Sequence, residues 1–578
     1  MAALALLLLL PLPALASNCG QPAEPISLIQ GSGARSPQAG NQVTVEGVVT
    51  FDASQEGGLR GFFLQQVAPD TDSNPATSEA LFVFSDRHAL QPGQRVRVSG
   101  TVREYHGLTE LAAVTALESC GKGSLPAPVP ITLPWPEPQT AENLEGMRVS
   151  LASPLVVIDH FNLHRYGTLT LAPRQQPVPT QILPPGPEAQ ALQRNQQQQR
   201  LILDDGLSRQ FPDPVPHVPG GLSLSRTLRT GTEVGELTGV LDYRYGEWRL
   251  HPDSAPQFHA SNPRPPAPAR LEGNTVRLLT LNLGNYFNGE AGGFSDSRGA
   301  RNPEELRRQT RRLVATLTEA DPDIAAVTEL ENDGYGPESA IASLALALGP
   351  DWRYVRRRSN DGNDAIRVAL LYRESRVEPV GTAVSPPLGS PLYQGRPPLL
   401  QRFRSITGGA TAAIAVVHLK SKSCRNARGA QRDQHDGQGC YAARRLASTE
   451  ALVQWLAELP HQPDSAGILI TGDLNSYAKE QPLQRLATAG YTDLVQDFGE
   501  NTASSYRFWG RSGTLDYSLA DVRLRPRIRQ AHIWGINADE PRALGYAFPT
   551  SEQAGSNAVP WRSSDHDPVI TDLDLQSP

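Results

Sequence analysis

The second half of the chain repeats one pattern: an apolar run closed by a carboxylate, an amide or an imidazole. Asn282 and Asn285 close the run that starts at Val276, and Glu329 follows Ile324 to Thr328. His418 follows Ala412 to Val417, and Asp473 with Asn475 follows Ile468 to Thr471 in the phrase Thr-Gly-Asp-Leu-Asn-Ser. Nearer the carboxyl end stand Asp516, in Leu-Asp-Tyr, and Asp565 with His566, in Ser-Ser-Asp-His-Asp-Pro-Val. Strand ends on one edge of a sheet open on a common crevice. Carboxylate and amide oxygens gathered there hold a hard divalent cation, and two imidazoles manage protons around a phosphodiester.

Each element alone has an ordinary explanation. Gly-Asp-Leu-Asn reads as a turn closed by an Asx hydrogen bond, a His after two valines as a satisfied core residue, and Ser-Asp-His-Asp-Pro as a loop. Turns and core residues do not by themselves produce this ordered set, with every member at an apolar strand end.

The elements that must position these groups are legible around them. The aliphatic runs Val276–Leu283, Ile324–Thr328, Val368–Tyr372, Ala412–Val417 and Ile468–Thr471 predict strands buried on both faces. Asn302-Pro303-Glu304-Glu305 predicts a cap, a first-turn proline and acids at the positive end of a helix bearing Leu306, Leu313, Val314 and Leu317. A second helix is predicted over 441–458. Upstream, Val43–Val49, Gly61–Gln65, Leu81–Phe84 and Arg95–Val102 alternate like short strands between turn residues. They predict a small barrel of the oligonucleotide/oligosaccharide-binding kind over 17–125. A second β-rich region, 126–251, includes Thr238–Tyr243 and Trp248–Leu250; its Gln193–Gln199 patch is expected to be a surface loop. Residues 252–274 begin with a Pro/Ala-rich stretch that reads as a semi-rigid linker, and 275–578 form the last domain.

A chain of 578 residues with 39% hydrophobic and 20% charged positions is an ordinary multi-domain protein, not one small binding module. Its net charge of −7 excludes a grip on nucleic acid through overall basicity. Local basicity exists: Lys420, Lys422, Arg425, Arg428, Arg432, Arg444 and Arg445 face only Asp433 and Asp436 in the same segment. The only lysines are Lys122, Lys420, Lys422 and Lys479, and two of them fall here. Such a patch attracts phosphates, or is simply a solvated loop.

Residues 1–16 form an apolar run ending in Ala14-Leu15-Ala16, the pattern of an export signal cleaved before Ser17, although the first basic residue is Arg35. The run is too short to stay in a bilayer as a span, and no later segment is apolar enough to be one. Four cysteines fit an oxidising compartment. Local pairing, Cys19 with Cys120 and Cys424 with Cys440, is the economical arrangement; zinc is the rival, but neither pair has CxxC spacing.

On the phrases LNLGNYFNGE, VTELENDGYGPESAIASLALAL, DAIRVALLYR, HLKSKSC, GQGCYAARR, GDLNSYA, GTLDYSLAD, INADEPRA and SSDHDPV, residues 275–575 resemble the endonuclease/exonuclease/phosphatase superfamily, to which deoxyribonuclease I belongs. Within it they resemble the extracellular nucleases of the ExeM/NucH type, a likeness that GTEVGELTGVLDYRYGEWRLHP extends into the front half. The resemblance implies a C-terminal four-layer α/β sandwich behind the β-rich N-terminal region. It implies Mg²⁺, with Mn²⁺ or Ca²⁺ as alternatives, held chiefly by Glu329 with Asn282 and Asp565. Asp473 and Asn475 would position the attacking water and the scissile phosphate, Asp516 would orient His566 for proton transfer, and His418 would stabilise the phosphate or protonate the leaving oxygen. Asn285, Lys420, Lys422 and Arg367 would touch substrate. Val417 and Arg367 stand where relatives often carry Asn and Lys, which bears on fine specificity. The implied function is an exported nuclease acting on extracellular DNA or RNA. The rival functions are a phospholipid or small-ester phosphodiesterase of the same superfamily, and a non-catalytic nucleic-acid-binding surface protein.

Overall fold

In a computed structural model the described residues are 18–576 apart from positions 73, 87–89, 274, 291, 296–297, 359–360, 388, 394, 461, 501–502 and 549–557. The expected export segment, 1–16, lies outside the described residues. The chain divides into two compact units. One contains residues up to 154 with 200–210 and 235–257; the other contains 155–199, 211–234 and everything from 258 onward.

The second unit is built on two six-stranded sheets. The first runs, in order, Trp352–Tyr354, Ile366–Arg373, Ile324–Glu331, Thr275–Tyr286, Val569–Asp574, Ile528–Ile533. The second runs Val377–Val384, Leu399–Ser405, Thr411–His418, Ser465–Asp473, Asp516–Ala520, Thr492–Asp493. Every strand predicted from an aliphatic run is present, because residues such as Leu278, Val368, Ile414 and Leu469 pack into one apolar cluster drawn from both sheets. The opposite face of the first sheet is covered by the helices Pro303–Ala320 and Ala340–Leu348 through Leu313, Leu317, Ile341 and Leu344. Ala442–Ala457 and Gln481–Thr488 cover the second through Leu452, Leu456, Leu483 and Leu486. Helix, sheet, sheet and helix thus stack in four layers. The helix start at Asn302 is capped as predicted, its side chain accepting from the Glu305 N–H at 2.9 Å, while the Glu305 carboxylate accepts from the Arg301 N–H at 2.9 Å.

Strand register brings the functional candidates together. Thr411–His418 runs parallel to Ser465–Asp473, which sets His418 opposite Asp473; the antiparallel partner Asp516–Ala520 sets Asp516 on the other side of Asp473. In the other sheet Asn282 lies opposite Thr328, one residue before Glu329. Hydroxyl pairs, Thr280 with Thr471 and Thr571 with Ser518, join the two sheets beneath these ends.

Residues 155–199 and 211–234, expected to lie within a separate β-rich region, belong to this unit. The Gln193–Gln199 patch is not a loop: the helix Pro187–Gln197 takes up most of it. Ala, Gln, Leu and Arg are good helix formers and Pro187 starts the helix, so backbone propensity outweighs the polar composition. The stretch after 252 is tied down rather than spanning freely. Arg264 pairs with Glu540 at 2.8 Å and Arg270 with Asp323 at 2.5 Å, and the Pro265 carbonyl accepts from the Trp534 indole at 3.1 Å.

The first unit contains a closed barrel of Gln42–Ala53, Gly61–Gln65, Ala80–Phe84, Leu108–Lys122 and Gln94–Tyr105, in that order around the wall. Val45, Phe62, Leu64, Val83, Val98 and Leu111 fill it. Both cysteine pairs are disulfides, with Cα–Cα separations of 5.6 Å for Cys19–Cys120 and 5.1 Å for Cys424–Cys440, so these thiols are not zinc ligands.

Candidate active site

The carboxylate of Asp473 is the hub. Its Oδ1 accepts from the Asn475 N–H at 2.8 Å, closing the Asx turn that the sequence pattern suggests. Its Oδ2 accepts from the Asn282 amide at 3.3 Å and lies 3.3 Å from His418 Nε2. Beside it, Asp516 Oδ2 lies 2.7 Å from His566 Nδ1 and accepts from the Ser505 hydroxyl at 2.7 Å. That hydroxyl in turn accepts from the Leu515 and Asp516 N–H groups at 3.0 and 3.1 Å, which fixes the carboxylate's orientation. The His566 backbone is also held: its carbonyl accepts from Asn537 Nδ2 at 2.7 Å and its N–H donates to Ser564 Oγ at 3.2 Å. The Tyr506 ring packs on the imidazole with centroids 4.5 Å apart.

Glu329 enters from the first sheet. Asn285 donates to its Oε2 at 2.6 Å. Glu329, Asn285 and Asn475 all adopt left-handed backbone, with φ of 59°, 60° and 46°. The ladder shifts register between Asn282 and Tyr286 and again between Val327 and Leu330. Bulges re-aim side chains, and non-glycine residues persist in the left-handed region only where surrounding contacts over-determine them. Here those contacts turn two side chains from the sheet edge towards one point. Asp565 is exposed at the same place: a Cβ added to Gly284 would lie 3.8 Å from its Oδ1.

The electrostatics follow from this crowding. Burial, then the charge of Asp565, pushes Glu329 up to about 7. For Asp473 burial opposes ionisation, but the contacts with His418, the charge of His566 and the Asn475 N–H hold it to about 2. Burial, then the nearby Arg396 guanidinium, lowers His418 to about 4, so it is neutral at pH 7. Burial also opposes charge on His566, yet Asp516, with Asp565 and Asp473 beyond it, raises its proton affinity well above that of a free imidazole. Atoms of Asp473, Asp516 and His566 lie within 4.8 Å of one another, but His566 Nδ1 is already committed to Asp516. The set of Glu329, Asn282 and Asp565 offers two carboxylates and an amide oxygen, and the charge of Asp565 adds to the burial that raises Glu329. Its chemistry fits a hard divalent cation.

Two expected substrate contacts are corrected. The Lys422 ammonium lies 2.6 and 2.7 Å from the Glu480 oxygens and 2.8 Å from the Gln438 carbonyl, over the Tyr477 ring. Arg367 is buried against Asp361 at 3.1 Å and the Gly334 carbonyl at 2.6 Å, over the Tyr335 ring. Both cations are internal struts, because each found a buried carboxylate. Asn285 meets Glu329, and Lys420 remains half-buried at the end of the His418 strand. Three groups escaped the sequence reading: Ser505 and Tyr506, which reach the dyad from a loop and hairpin, and Arg396. Arg396 donates to the Leu419 carbonyl at 2.6 Å, an oxygen that also accepts from Asn475 Nδ2 at 3.2 Å. No periodicity marks them, since each depends on a long-range partner.

The family model described as Endonuclease/Exonuclease/phosphatase family matches residues 279–566, and one described as a domain of unknown function, DUF8508, matches residues 140–262. Solved structures similar to this chain include a humanized TDP2 from D. rerio (13% identity, TM-score 0.34), covering 52% of this chain and 100% of that one. They also include a mannosyl-6-phosphatase from Bacteroides thetaiotaomicron (14%, TM-score 0.34, 52% and 99%) and an AP endonuclease from Archaeoglobus fulgidus (11%, TM-score 0.32, 52% and 100%). No curated protein matches the chain. The region that carries the Asp473 hub, the Asp516–His566 pair and Glu329, residues 279–566, is a domain of the Endonuclease/Exonuclease/phosphatase family.

Proposed function

We propose that the protein is an exported, divalent-metal-dependent nuclease that hydrolyses phosphodiester bonds of DNA. The observation that carries this reading is the convergence of Glu329, Asp473 and the Asp516–His566 pair at the facing ends of two sheets, which Asn282 joins by donating to Asp473. Glu329, Asn282 and Asp565 would hold the cation, Mg²⁺ in this reading, which supplies charge stabilisation for the phosphoryl oxygens. The chain's own groups do the rest. Asp516 fixes the His566 tautomer, leaving Nε2 to exchange a proton with water; Asp473 and Asn475 orient that water and the phosphate; neutral His418 keeps its one N–H on Asp473 and holds that carboxylate in place. Among the described residues no helix is long and apolar enough to cross a membrane. The two disulfides favour an oxidising compartment, and the closed five-stranded barrel favours an oligonucleotide/oligosaccharide-binding type of fold.

The test is a substrate panel: linear duplex DNA, plasmid, RNA, a phospholipid diester and a sugar phosphate, each with Mg²⁺ and with chelator. Cleavage of DNA only with metal is expected. Turnover of the lipid or the sugar phosphate without DNA cleavage would replace this reading.

A further inference from the structure

Two exposed phenyl rings stand at the ends of one row of contacts on the unit that carries the site: Phe161 is 61% exposed and Phe211 54%. Between them rings alternate with polar groups. The Arg542 guanidinium lies over the Phe161 ring, 5.4 Å from its centroid, and over the Phe548 ring at 5.7 Å. The His164 imidazole then meets Phe548 and Phe211 edge-on, with centroids 5.3 Å apart in each pair. Arg542 is itself exposed, and among the described residues it meets no carboxylate. Phe211 holds φ of 54°, left-handed backbone that a bulky residue adopts only under constraint, and its N–H donates to the Arg165 carbonyl at 2.8 Å. Strain is thus maintained for a ring that stays in solvent. Both ends of the row are fastened to the catalytic phrases. Phe161 follows His160, whose Nε2 lies 2.9 Å from the Asp539 carbonyl, in the turn whose Asn537 holds the His566 carbonyl. On the other side Arg312 donates to the Leu544 carbonyl and, just before Asp565, to the Trp561 and Arg562 carbonyls at 3.3 and 3.2 Å.

We propose that Phe161, Phe211 and Arg542 form a platform on which unpaired bases stack beside the hydrolytic site, so that the substrate class is single-stranded polynucleotide. Bases of any identity stack on exposed rings, and a guanidinium among them adds a cation–π contact to a base and a charge for the backbone phosphate. A bilayer or an apolar protein partner asks instead for a contiguous apolar surface. Here a guanidinium or an imidazole interrupts the phenyl rings at every step. In a duplex the faces of each base are already stacked on its neighbours, so only unpaired nucleotides have a face to offer. Phe161, His164 and Phe211 come from segments 155–199 and 211–234, outside the residues 279–566 matched by the family model. The platform is therefore an addition of this chain to the family domain.

The platform presupposes the nuclease function proposed above and is tested on the full-length protein with Mg²⁺. kcat/KM is measured on a single-stranded oligonucleotide, on a blunt duplex of the same sequence and on bis(p-nitrophenyl) phosphate, which has no flanking nucleotide. In Phe161→Ala and Phe211→Ala the single-strand value should fall at least ~5-fold relative to the small diester, the lower end for a lost base–aromatic stack, with a smaller loss on the duplex. Phe161→Trp should keep that ratio within about 2-fold, because it keeps a stacking face, and Phe161→Leu should not. Arg542→Ala should also make the salt slope of log kcat/KM on the single strand shallower by about 0.7, a slope the phenylalanine variants leave unchanged. An unchanged ratio in both alanine variants, equal losses on single strand and duplex, a leucine as good as the tryptophan, or wild-type activity confined to duplex would overturn the platform alone. Alanine variants that lose co-sedimentation with phosphatidylcholine/phosphatidylserine vesicles while single-strand kinetics stay unchanged would assign the rings to a membrane instead. Wild-type protein that turns over the small diester but neither polynucleotide would overturn the nuclease function and the platform with it.

Discussion

Asp516 and His566 act as one unit in this structure, with Ser505 fixing the carboxylate and Tyr506 covering the ring. His566→Ala should lower turnover at least ~10²-fold, the usual scale of acid–base catalysis. The double variant with Asp516→Ala should be scarcely worse, because groups that act together are non-additive. Multiplying losses in steady-state kinetics would show that the two act independently. Ser505→Ala should give a smaller loss, because it loosens the aim of Asp516 without removing a proton carrier. The dyad was legible in the sequence because both members sit in short polar phrases after apolar runs. Ser505 and Tyr506 were not, since nothing in Ser-Ser-Tyr-Arg-Phe-Trp says that the loop folds back onto residue 566. Lys422 and Arg367 misled for the same reason: a cation near the catalytic phrases reads as a phosphate contact until its buried carboxylate is seen.

At the scale of elements, the turn 537–540 holds the His566 backbone, and His160, Arg229 and Thr230, from segments 155–199 and 211–234, hold that turn. Asp539 accepts from Thr230 at 2.7 Å and pairs with Arg507, and its carbonyl lies 2.9 Å from His160 Nε2. Glu540 is fully buried between Arg229 at 2.6 Å and Arg264 at 2.8 Å. Glu540→Ala removes the carboxylate shared by buried Arg229 and half-buried Arg264, leaving Arg229 only Asp539 at 3.4 Å, and should cost about 3–5 kcal/mol in denaturant unfolding. Burial opposes ionisation of Asp539, but Arg507 and Arg229 hold it to about 2. Its folded value is below the unfolded value of roughly 3.9, so its stabilisation is complete above about pH 4 and is lost as pH falls towards 2. Asp539→Asn should therefore lower Tm at pH 6, and the gap to wild type should close by about pH 2; a gap independent of pH would contradict the assignment. The loop between Cys424 and Cys440 spans 16 positions. Replacing both cysteines with serine should cost roughly 3 kcal/mol by the chain-entropy argument, read as a lower Tm. Strand existence at this scale was read correctly from aliphatic density. The strand Leu108–Lys122 was not, because its Leu, Ala and Glu content carries no strand signature and its place is set by pairing with Gln94–Tyr105.

Across the whole molecule the boundaries were the least legible feature. A Pro/Ala-rich stretch reads as a spacer, yet Arg264 and Arg270 anchor it, and segments 155–199 and 211–234 fold into the unit that carries Glu329, Asp473 and the Asp516–His566 pair. Chain order therefore does not follow unit order, which no local pattern reveals. A chain starting at residue 275 loses Thr180, whose hydroxyl donates to Glu480 at 2.8 Å, together with Arg229, Thr230 and both anchors, and should have a lower Tm than the full-length protein or fail to fold. Phosphodiester hydrolysis in this reading depends on a divalent cation held by Glu329. That dependence is tested most directly by the initial rate of linear duplex DNA cleavage across a Mg²⁺ titration, with a chelator control, for wild type and Glu329→Ala. Wild type should show a saturable Mg²⁺ requirement and no cleavage in chelator, and the variant should be at least ~10²-fold slower, with no recovery in excess Mg²⁺. Cleavage that survives chelation, or a variant with the wild-type Mg²⁺ curve, would contradict it.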